Sequence, residues 1–355
     1  MISRASDSGS MLVLCGAKLC RTMSQLPQWP LALPARGGPV VVAGGLNTDI
    51  LSRPHSALHA GTSNPAHTTF APGGVGRNLA QTLAQLGVPT RLLGVVGDDA
   101  FGESLLGLTA RAGVEVSGVV RRPGPSGSYL AVLSERGELV YGLSSMALTS
   151  DLRPADVPQW AGELSGAGLL IVDANLSPPM VAFLLEAAWE RGVPAVLEPV
   201  SAPKAGPLST VLSAARPLWL LTPDRAELAA LTGQDLEQAG DAEVLSAARR
   251  LRVRGAQVVL LTLGRRGSWL VGEGGALPTP ARQAQVRDVT GAGDALLAGL
   301  IAALWRGADW PEALAEAHLC AALTIEAPGA VRADLSPQLL TAERHRPALH
   351  GEPLT

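Results

Sequence analysis

Asp294 closes the stretch Arg287-Asp288-Val289-Thr290-Gly291-Ala292-Gly293-Asp294, whose small residues run directly into an apolar segment of helical character, Ala295 to Trp305. Backbone N–H groups in the first turn of a helix lack intrahelical acceptors, and the helix dipole adds partial positive charge there. A phosphate or a developing oxyanion can therefore dock against Gly291, Ala292 and Gly293. A carboxylate at such a place repels the anion unless it has a task of its own, such as taking a proton from an attacking nucleophile. An anion seat beside a base is what phosphoryl transfer to an alcohol requires. The competing reading is structural: Thr290 caps the helix and Asp294 complements its positive end. A lone Gly-x-Gly-Asp does not decide between them.

The elements that must hold this stretch follow from hydrophobic patterning. Gln283 to Val286 alternates and predicts a short strand, so the glycines fall where a strand ends and a helix begins. Val40-Val41-Val42-Ala43-Gly44-Gly45 is a continuous apolar run ended by glycines, as expected of a buried parallel strand. Further strands are predicted at Val88 to Gly97, Leu169 to Asp173, Ala195 to Glu198, Trp219 to Thr222 and Val258 to Leu263, alternating with alanine-rich helices. That βαβ rhythm predicts a doubly wound, mainly parallel α/β sheet flanked by helices. Ser128 to Ser134 and Glu138 to Gly142, joined at Glu135-Arg136-Gly137, read as a hairpin. Ile50 to Phe70 is polar, is broken by Pro54, Gly61 and Pro65, and reads as a flap.

Other polar clusters fall at the ends of those strands, where open α/β sheets bind ligands. Asn47 and Asp49 follow the first strand, and a ligand site and an Asx-type turn both account for them. Pro72-Gly73-Gly74-Val75-Gly76-Arg77-Asn78 is a glycine loop opening an amphipathic helix that Gly87 ends. Thr222-Pro223-Asp224-Arg225-Ala226-Glu227 puts two acids at a helix start, and Thr262-Leu263-Gly264-Arg265-Arg266-Gly267 is either a close approach of backbone to a ligand or a hairpin turn. The chain contains no G-x-x-x-x-G-K-[ST] loop, so phosphate binding of P-loop type is excluded. Gly44-Gly45 lacks G-x-G-x-x-G spacing, which makes a dinucleotide-dependent oxidoreductase a weak alternative. His318, in an apolar helix, reads as a packed residue.

Composition narrows the partners. With 355 residues and 47% hydrophobic content the chain has ample material for a core, and a net charge of −3 leaves no electrostatic footprint for nucleic acid. No run of about 20 apolar residues suits a membrane span. Cys15, Cys20 and Cys320 form no disulfide framework and fit a reducing cytoplasm. Residues 1–38 lack sustained periodicity and read as a disordered extension, within which Met23 is an alternative start. One domain is expected over 39–340, with lid segments at about 50–72 and 116–145, followed by a tail at 341–355.

Two distant signatures carry a family resemblance. Gly73-Gly74 with Asn78, Leu86-Gly87, and Gly94-Val95-Val96-Gly97-Asp98-Asp99 with Phe101-Gly102, followed far downstream by Asp288 to Asp294, resemble in order the signatures of the ribokinase-like (PfkB-type) carbohydrate and nucleoside kinases. The resemblance implies a ribokinase-like fold with a small β-sheet lid, ATP and magnesium as cofactors, and Asp294 as general base with Gly291, Ala292 and Gly293 at the transferred phosphoryl group. It implies Asn47, Asp49, Gly73, Gly74 and Asn78 around the acceptor. Asp224 and Glu227 resemble the family's N-x-x-E element near the metal-bound phosphates, with aspartate where that element usually has asparagine. Thr262, Gly264 and Gly267 resemble the T-x-G-x-x-G element that meets the nucleotide, and Asp288 with Thr290 marks a site for potassium or a similar monovalent ion. Uncovered lid strands would invite pairing into a homodimer.

Finer details resemble the pseudouridine kinase branch of that family: Gly61-Thr62-Ser63-Asn64-Pro65, the Gly74-Val75-Gly76-Arg77-Asn78 form of the glycine loop, Ser144-Ser145-Met146, and Glu198-Pro199-Val200-Ser201 with Lys204-Ala205. Glu198 departs from the aspartate expected there. The implied reaction is ATP-dependent phosphorylation of pseudouridine at its 5′-hydroxyl. The alternatives are a ribose, adenosine or other sugar or nucleoside kinase and, from another class, a catalytically silent sugar- or nucleoside-binding regulator, which the intact Asp294 argues against.

Overall fold

Val40–Ala43, apolar at every position, is the first strand of a computed structural model that describes residues 37–349. The extension read at 1–38, with Cys15, Cys20 and Met23, falls outside the described residues as far as residue 36, and so do residues 350–355 of the tail. In chain order the strands are β1 (Val40–Ala43), β2 (Asn47–Pro54), β3 (Ala66–Gly73), β4 (Thr90–Gly97), β5 (Val119–Arg122), β6 (Ser128–Leu133), β7 (Leu139–Ser145), β8 (Leu169–Asp173), β9 (Ala195–Glu198), β10 (Leu218–Leu221), β11 (Ala256–Thr262), β12 (Ser268–Gly272) and β13 (Gly275–Thr279). The helices are α1 (Val75–Gln85), α2 (Ala100–Arg111), α3 (Ala147–Ser150), α4 (Trp160–Glu163), α5 (Pro178–Glu190), α6 (Ala202–Leu208), α7 (Arg225–Thr232), α8 (Asp241–Gly255), α9 (Ala292–Trp305), α10 (Trp310–Ile325) and α11 (Pro337–Glu343).

Nine strands form one sheet in the order β13-β12-β11-β10-β9-β8-β1-β4-β5. It is parallel from β5 to β11, and β12 and β13 return antiparallel at one end. Parallel strands covered on both faces need apolar residues at every position. Alternate residues of β1 accordingly enter opposite cores: Val40 and Val42 pack with α1, α9 and α10, whereas Val41 and Ala43 pack with α5, α7 and α8. Helix α9 is buried from Ala295 to Leu304, and α10 approaches it so closely that a Cβ on Gly299 would lie 2.8 Å from the Cβ of buried Cys320. His318 is buried too and shares a hydrogen bond of 2.8 Å with Ser268 Oγ, as a packed residue would.

Strand order reverses at β1, which has β4 and β5 on one side and β8 onward on the other. Ligands of such sheets bind beyond the strand ends at that reversal. A second, smaller sheet in the order β3-β2-β6-β7 stands over this edge. Its register brings Asn47 opposite Gly73, Thr48 opposite Ser128, and Ser128 opposite Ser145, so one end of the lid is a row of small polar residues. The far side is open: Phe70, Leu139, Tyr141 and Leu143 are exposed.

Two expectations are corrected. The lid segment read as 116–145 begins later, because Val119–Arg122 pairs with β4 in the large sheet and only β6 and β7 belong to the lid. Gln283 to Val286 is not a strand. It runs beside the end of α10, where the Gln285 N–H donates to Glu326 Oε1 and the Arg287 N–H to the Ile325 carbonyl, and its pairing is confined to its first residues, the Gln283 N–H donating to the Pro347 carbonyl beside a single bridge from Arg282 to Ala348. Alternation marks a half-buried extended segment and does not say what covers it.

Candidate active site

The cleft at the reversal has a volume of about 770 Å³. Its floor is the row of strand ends Glu198, Thr222 and Thr262 together with the start of α9, and Asn47, Asp49, Tyr129 and Ser144 face it from the lid. Of the acceptor-side residues named from sequence, Asn47, Asp49, Gly74 and Asn78 line it; Gly73 lies behind Asp49, where a Cβ would fall 2.2 Å from the Asp49 carboxylate. On the nucleotide side Asp224, Glu227 and Thr262 line it, while Gly264 and Gly267 shape the β11–β12 turn beyond it. Gly291, Ala292, Gly293, Asp294 and Thr290 line the cleft, and Asp288 does not.

Gly291, with φ of 73°, is the residue before α9, and a Cβ there would lie 2.0 Å from the Ala330 carbonyl oxygen. It therefore starts the helix by its left-handed backbone and by close approach, not by a side-chain cap, and Thr290 does not cap. The Ala292 N–H reaches the Val289 carbonyl at 3.3 Å, so the amide hole of the helix start consists chiefly of its neighbours. Asp288 fastens the turn: Oδ1 accepts from the Thr290 N–H and Oδ2 from the Gly329 N–H, both at 2.9 Å.

Asp294 Oδ2 accepts a hydrogen bond of 2.9 Å from Asn78 Nδ2. Burial raises its pKa to about 7; the Asp173 charge adds to the rise, while the Asn78 bond and the Arg77 charge oppose it. Asp49 accepts from Asn47 Nδ2 at 2.6 Å, and burial raises its pKa too. Asp173 is fully buried, accepts from the Gly45 and Asn175 N–H groups at 2.9 and 2.8 Å, and is likewise raised by burial. Glu198 accepts from the Thr222 hydroxyl; burial, then the neighbouring Glu227, pushes its pKa well up. Val200 has φ of 68°, the one non-glycine residue with positive φ among those described. A β-branched residue there is strained, and such strain collects at ligand clamps.

Asp224 and Glu227 form a reciprocal cap on α7: Asp224 Oδ1 accepts from the Glu227 N–H at 2.7 Å and Glu227 Oε2 from the Asp224 N–H at 2.8 Å. Burial raises Glu227 to about 7. Each carboxylate keeps a second oxygen, and two hard oxygen donors beside a cleft suit a magnesium ion that takes its remaining ligands from water and phosphate. Among the described residues no three acidic, His or Cys groups assemble a metal cage.

Asp173, Asn175, Tyr129 and Arg77 were not singled out from sequence as site residues. Asp173 carried a readable signal, a charge ending an otherwise apolar strand; Tyr129 enters only because β6 pairs with β2. No helix among the described residues is long and apolar enough to cross a membrane.

A carboxylate at a helix start, with a lid sheet over one side of the cleft and a capped acidic pair lining it, suits phosphoryl transfer to an alcohol. The chain belongs to the pfkB family of carbohydrate kinases, whose sequence profile matches residues 39–337. It is 33% identical to the pseudouridine kinase of Escherichia coli over 301 residues, covering 84% of this chain and 93% of that one. It is 34% identical to the uncharacterized sugar kinase YeiI of the same organism, covering 80% and 77%. An Arabidopsis thaliana pseudouridine kinase is 26% identical, covering 85% and 94%. Among solved structures it resembles a carbohydrate kinase from Agrobacterium tumefaciens (TM-score 0.75, 28% identity, 88% and 98% covered). The Arabidopsis ribokinase complexed with ribose and ATP shares the fold (TM-score 0.75, 24% identity, 87% and 99% covered). The fold is ribokinase-like and the chain is a sugar or nucleoside kinase.

Proposed function

We propose that this chain transfers the γ-phosphoryl group of ATP to the 5′-hydroxyl of pseudouridine, with Asp294 as general base. The observation that carries the reading is the Asp294 carboxylate, held by Asn78 at the start of α9 in a cleft that the lid sheet covers on the acceptor side. Asn47, Asp49 and Asn78 bind and orient the acceptor's hydroxyls. Asp294 takes the proton as the hydroxyl attacks. The N–H groups around Gly291 and Gly293 receive the charge on the transferred group, which is positioning and electrostatics more than covalent chemistry. Thr262 faces the nucleotide, with Gly264 and Gly267 shaping the turn beneath it. Asp224 and Glu227 would hold the magnesium ion, which when bound neutralises phosphate charge. Asp288 and Thr290 are a poorer fit for potassium, because both Asp288 oxygens already accept backbone N–H groups. The lid keeps water, a competing acceptor, away from the reacting groups.

Likeness to pseudouridine kinases of a bacterium and a plant supports the nucleoside; likeness to YeiI favours, as the second reading, a simple sugar. The test is a panel of pseudouridine, uridine, adenosine and ribose with magnesium and ATP, products mapped by phosphorus NMR. Pseudouridine should give the highest kcat/KM and a 5′-phosphomonoester. Turnover of ribose without turnover of pseudouridine replaces this reading with the second one. The open β7 edge and its exposed Leu139, Tyr141 and Leu143 support pairing with a second copy, which light scattering would report as twice the chain mass.

A further inference from the structure

We infer that Arg77 is a positioning residue for Asp294, acting through the side-chain amide of Asn78, a role that rests on the reading of Asp294 as the base. A guanidinium can only donate hydrogen bonds. Arg77 NH1 lies 3.0 Å from Asn78 Oδ1, so the amide oxygen of Asn78 must face Arg77 and its NH₂ group must face away. That NH₂ meets Asp294 Oδ2 at 2.9 Å, and only a lone pair can receive it. The relay from Arg77 to Asn78 to Asp294 thus has one permitted direction. It ends on a carboxylate oxygen kept as an acceptor and leaves the other oxygen of Asp294 for the substrate hydroxyl. With any side chain at 77 that accepts or does neither, the Asn78 amide is free to turn over and present its oxygen to Asp294, which favours the protonated acid.

Arg77 is itself fastened for this purpose. It is 3% exposed, and NH1 also donates to the Pro72 carbonyl at 2.7 Å while NH2 donates to Gln81 Oε1 one helical turn on. Its Nε is buried with no partner among the described residues. Burying a guanidinium is unfavourable, and an apolar side chain of similar volume would fill the same space with less penalty. Burial lowers the Arg77 pKa to about 10, held against a larger fall by the charges of Asp49 and Asp294. Of the charged groups that bear on Asp294, Asp173 at the end of β8 disfavours its ionisation and Arg77 on α1 favours it, while Asp294 in turn raises the pKa of Glu198 at the end of β9.

The experiment follows the Asp294 carboxyl in the ligand-free protein by carbon NMR across pH, assigned with Asp294→Asn, in wild type, Arg77→Met and Arg77→Lys. The same proteins are assayed for the pH dependence of kcat with ATP and pseudouridine, and with ribose. In Arg77→Met the titration midpoint should rise by about one pH unit or more, as loss of a nearby opposite charge requires, with kcat lost on the acid side and largely recovered on the alkaline side. Arg77→Lys keeps the charge and a group that can only donate, so its midpoint should stay near wild type and it should recover much of the kcat lost in Arg77→Met. An unmoved midpoint in Arg77→Met, or an Arg77→Lys variant that loses midpoint and kcat as Arg77→Met does, overturns the relay. If Arg77→Met does not fold, Arg77→Gln, neutral and able to accept, takes its place. Undiminished turnover by Asp294→Asn would instead overturn the reading of Asp294 as base, and the NMR titration would still judge the relay.

Discussion

Asn78 and Asp294 are 216 residues apart in the chain, and a hydrogen bond of 2.9 Å joins them. One sits in the first turn of α1 and the other in the first turn of α9, and the two helices pack on the same face of the sheet. Two helix starts are thereby aimed at one point, so on the proposed reading an acceptor held by the glycine loop and a phosphoryl group held by the second loop would meet at a single carboxylate.

Replacing Asp294 by Asn keeps the volume and removes the base. kcat should fall by about 10²–10⁴-fold, the range for a positioned general base, with ATP affinity by calorimetry unchanged. An undiminished kcat would remove Asp294 from that role.

The pKa of about 7 at Asp294 fixes the pH behaviour. A carboxyl acting as base must be ionised, so kcat/KM should rise with pH through an acid limb near that value, to which Glu227, also raised to about 7, would add if it holds the magnesium ion. For stability the sign is opposite: a carboxyl whose folded pKa is raised binds its proton more tightly when folded, so its contribution is present below the ordinary carboxylate range and is lost as pH rises through the folded pKa. Asp294→Asn should therefore raise Tm by a few degrees on the alkaline side of that limb, and the gain should shrink through mild acid and vanish only below the ordinary carboxylate range.

Gly291 and Gly293 should respond differently to alanine. At Gly291 both the positive φ and the 2.0 Å approach to Ala330 oppose a Cβ, so Gly291→Ala should destabilise the fold, by about 1–3 kcal/mol in denaturant titrations. A Cβ at Gly293 meets nothing within 4 Å. Gly293→Ala should leave stability unchanged or raise it by about 0.5–1 kcal/mol, since alanine suits a helix better. On the proposed reading its kcat should nonetheless drop, because the transferred phosphoryl group would need that open space.

Glu227→Ala removes one half of the α7 cap and one oxygen donor. Unfolding should become easier by about 1 kcal/mol, and the magnesium concentration for half-maximal rate should rise. Loss of stability with an unchanged magnesium requirement would leave Glu227 with the capping role alone.

Much of this was legible in one dimension. The apolar runs of β1, β8 and β9 were read at or within two residues of their observed ends, because a strand buried on both faces has no freedom to be polar. The glycine loop, the Thr290–Asp294 turn and the capped pair Asp224 and Glu227 were legible because each is a local arrangement, made by residues a few positions apart. What failed was whatever depended on a distant neighbour. Gln283 to Val286 alternates like a strand yet lies against the end of α10, and Val119–Arg122 joined the large sheet because β4 had a free edge.

The sequence by itself determined the class of fold, the chemistry available and the loops that carry it, since periodicity, glycines and helix starts are written in adjacent residues. Only the tertiary structure decided that the Asp173 charge bears on Asp294 and raises its proton affinity, and that Arg77 can orient Asn78 only one way. It also decided that Tyr129 and Ser144 reach the cleft from the lid. Those facts are contacts and electrostatic fields between residues far apart in the chain, and they come into being only when sheet order and helix packing bring the residues together.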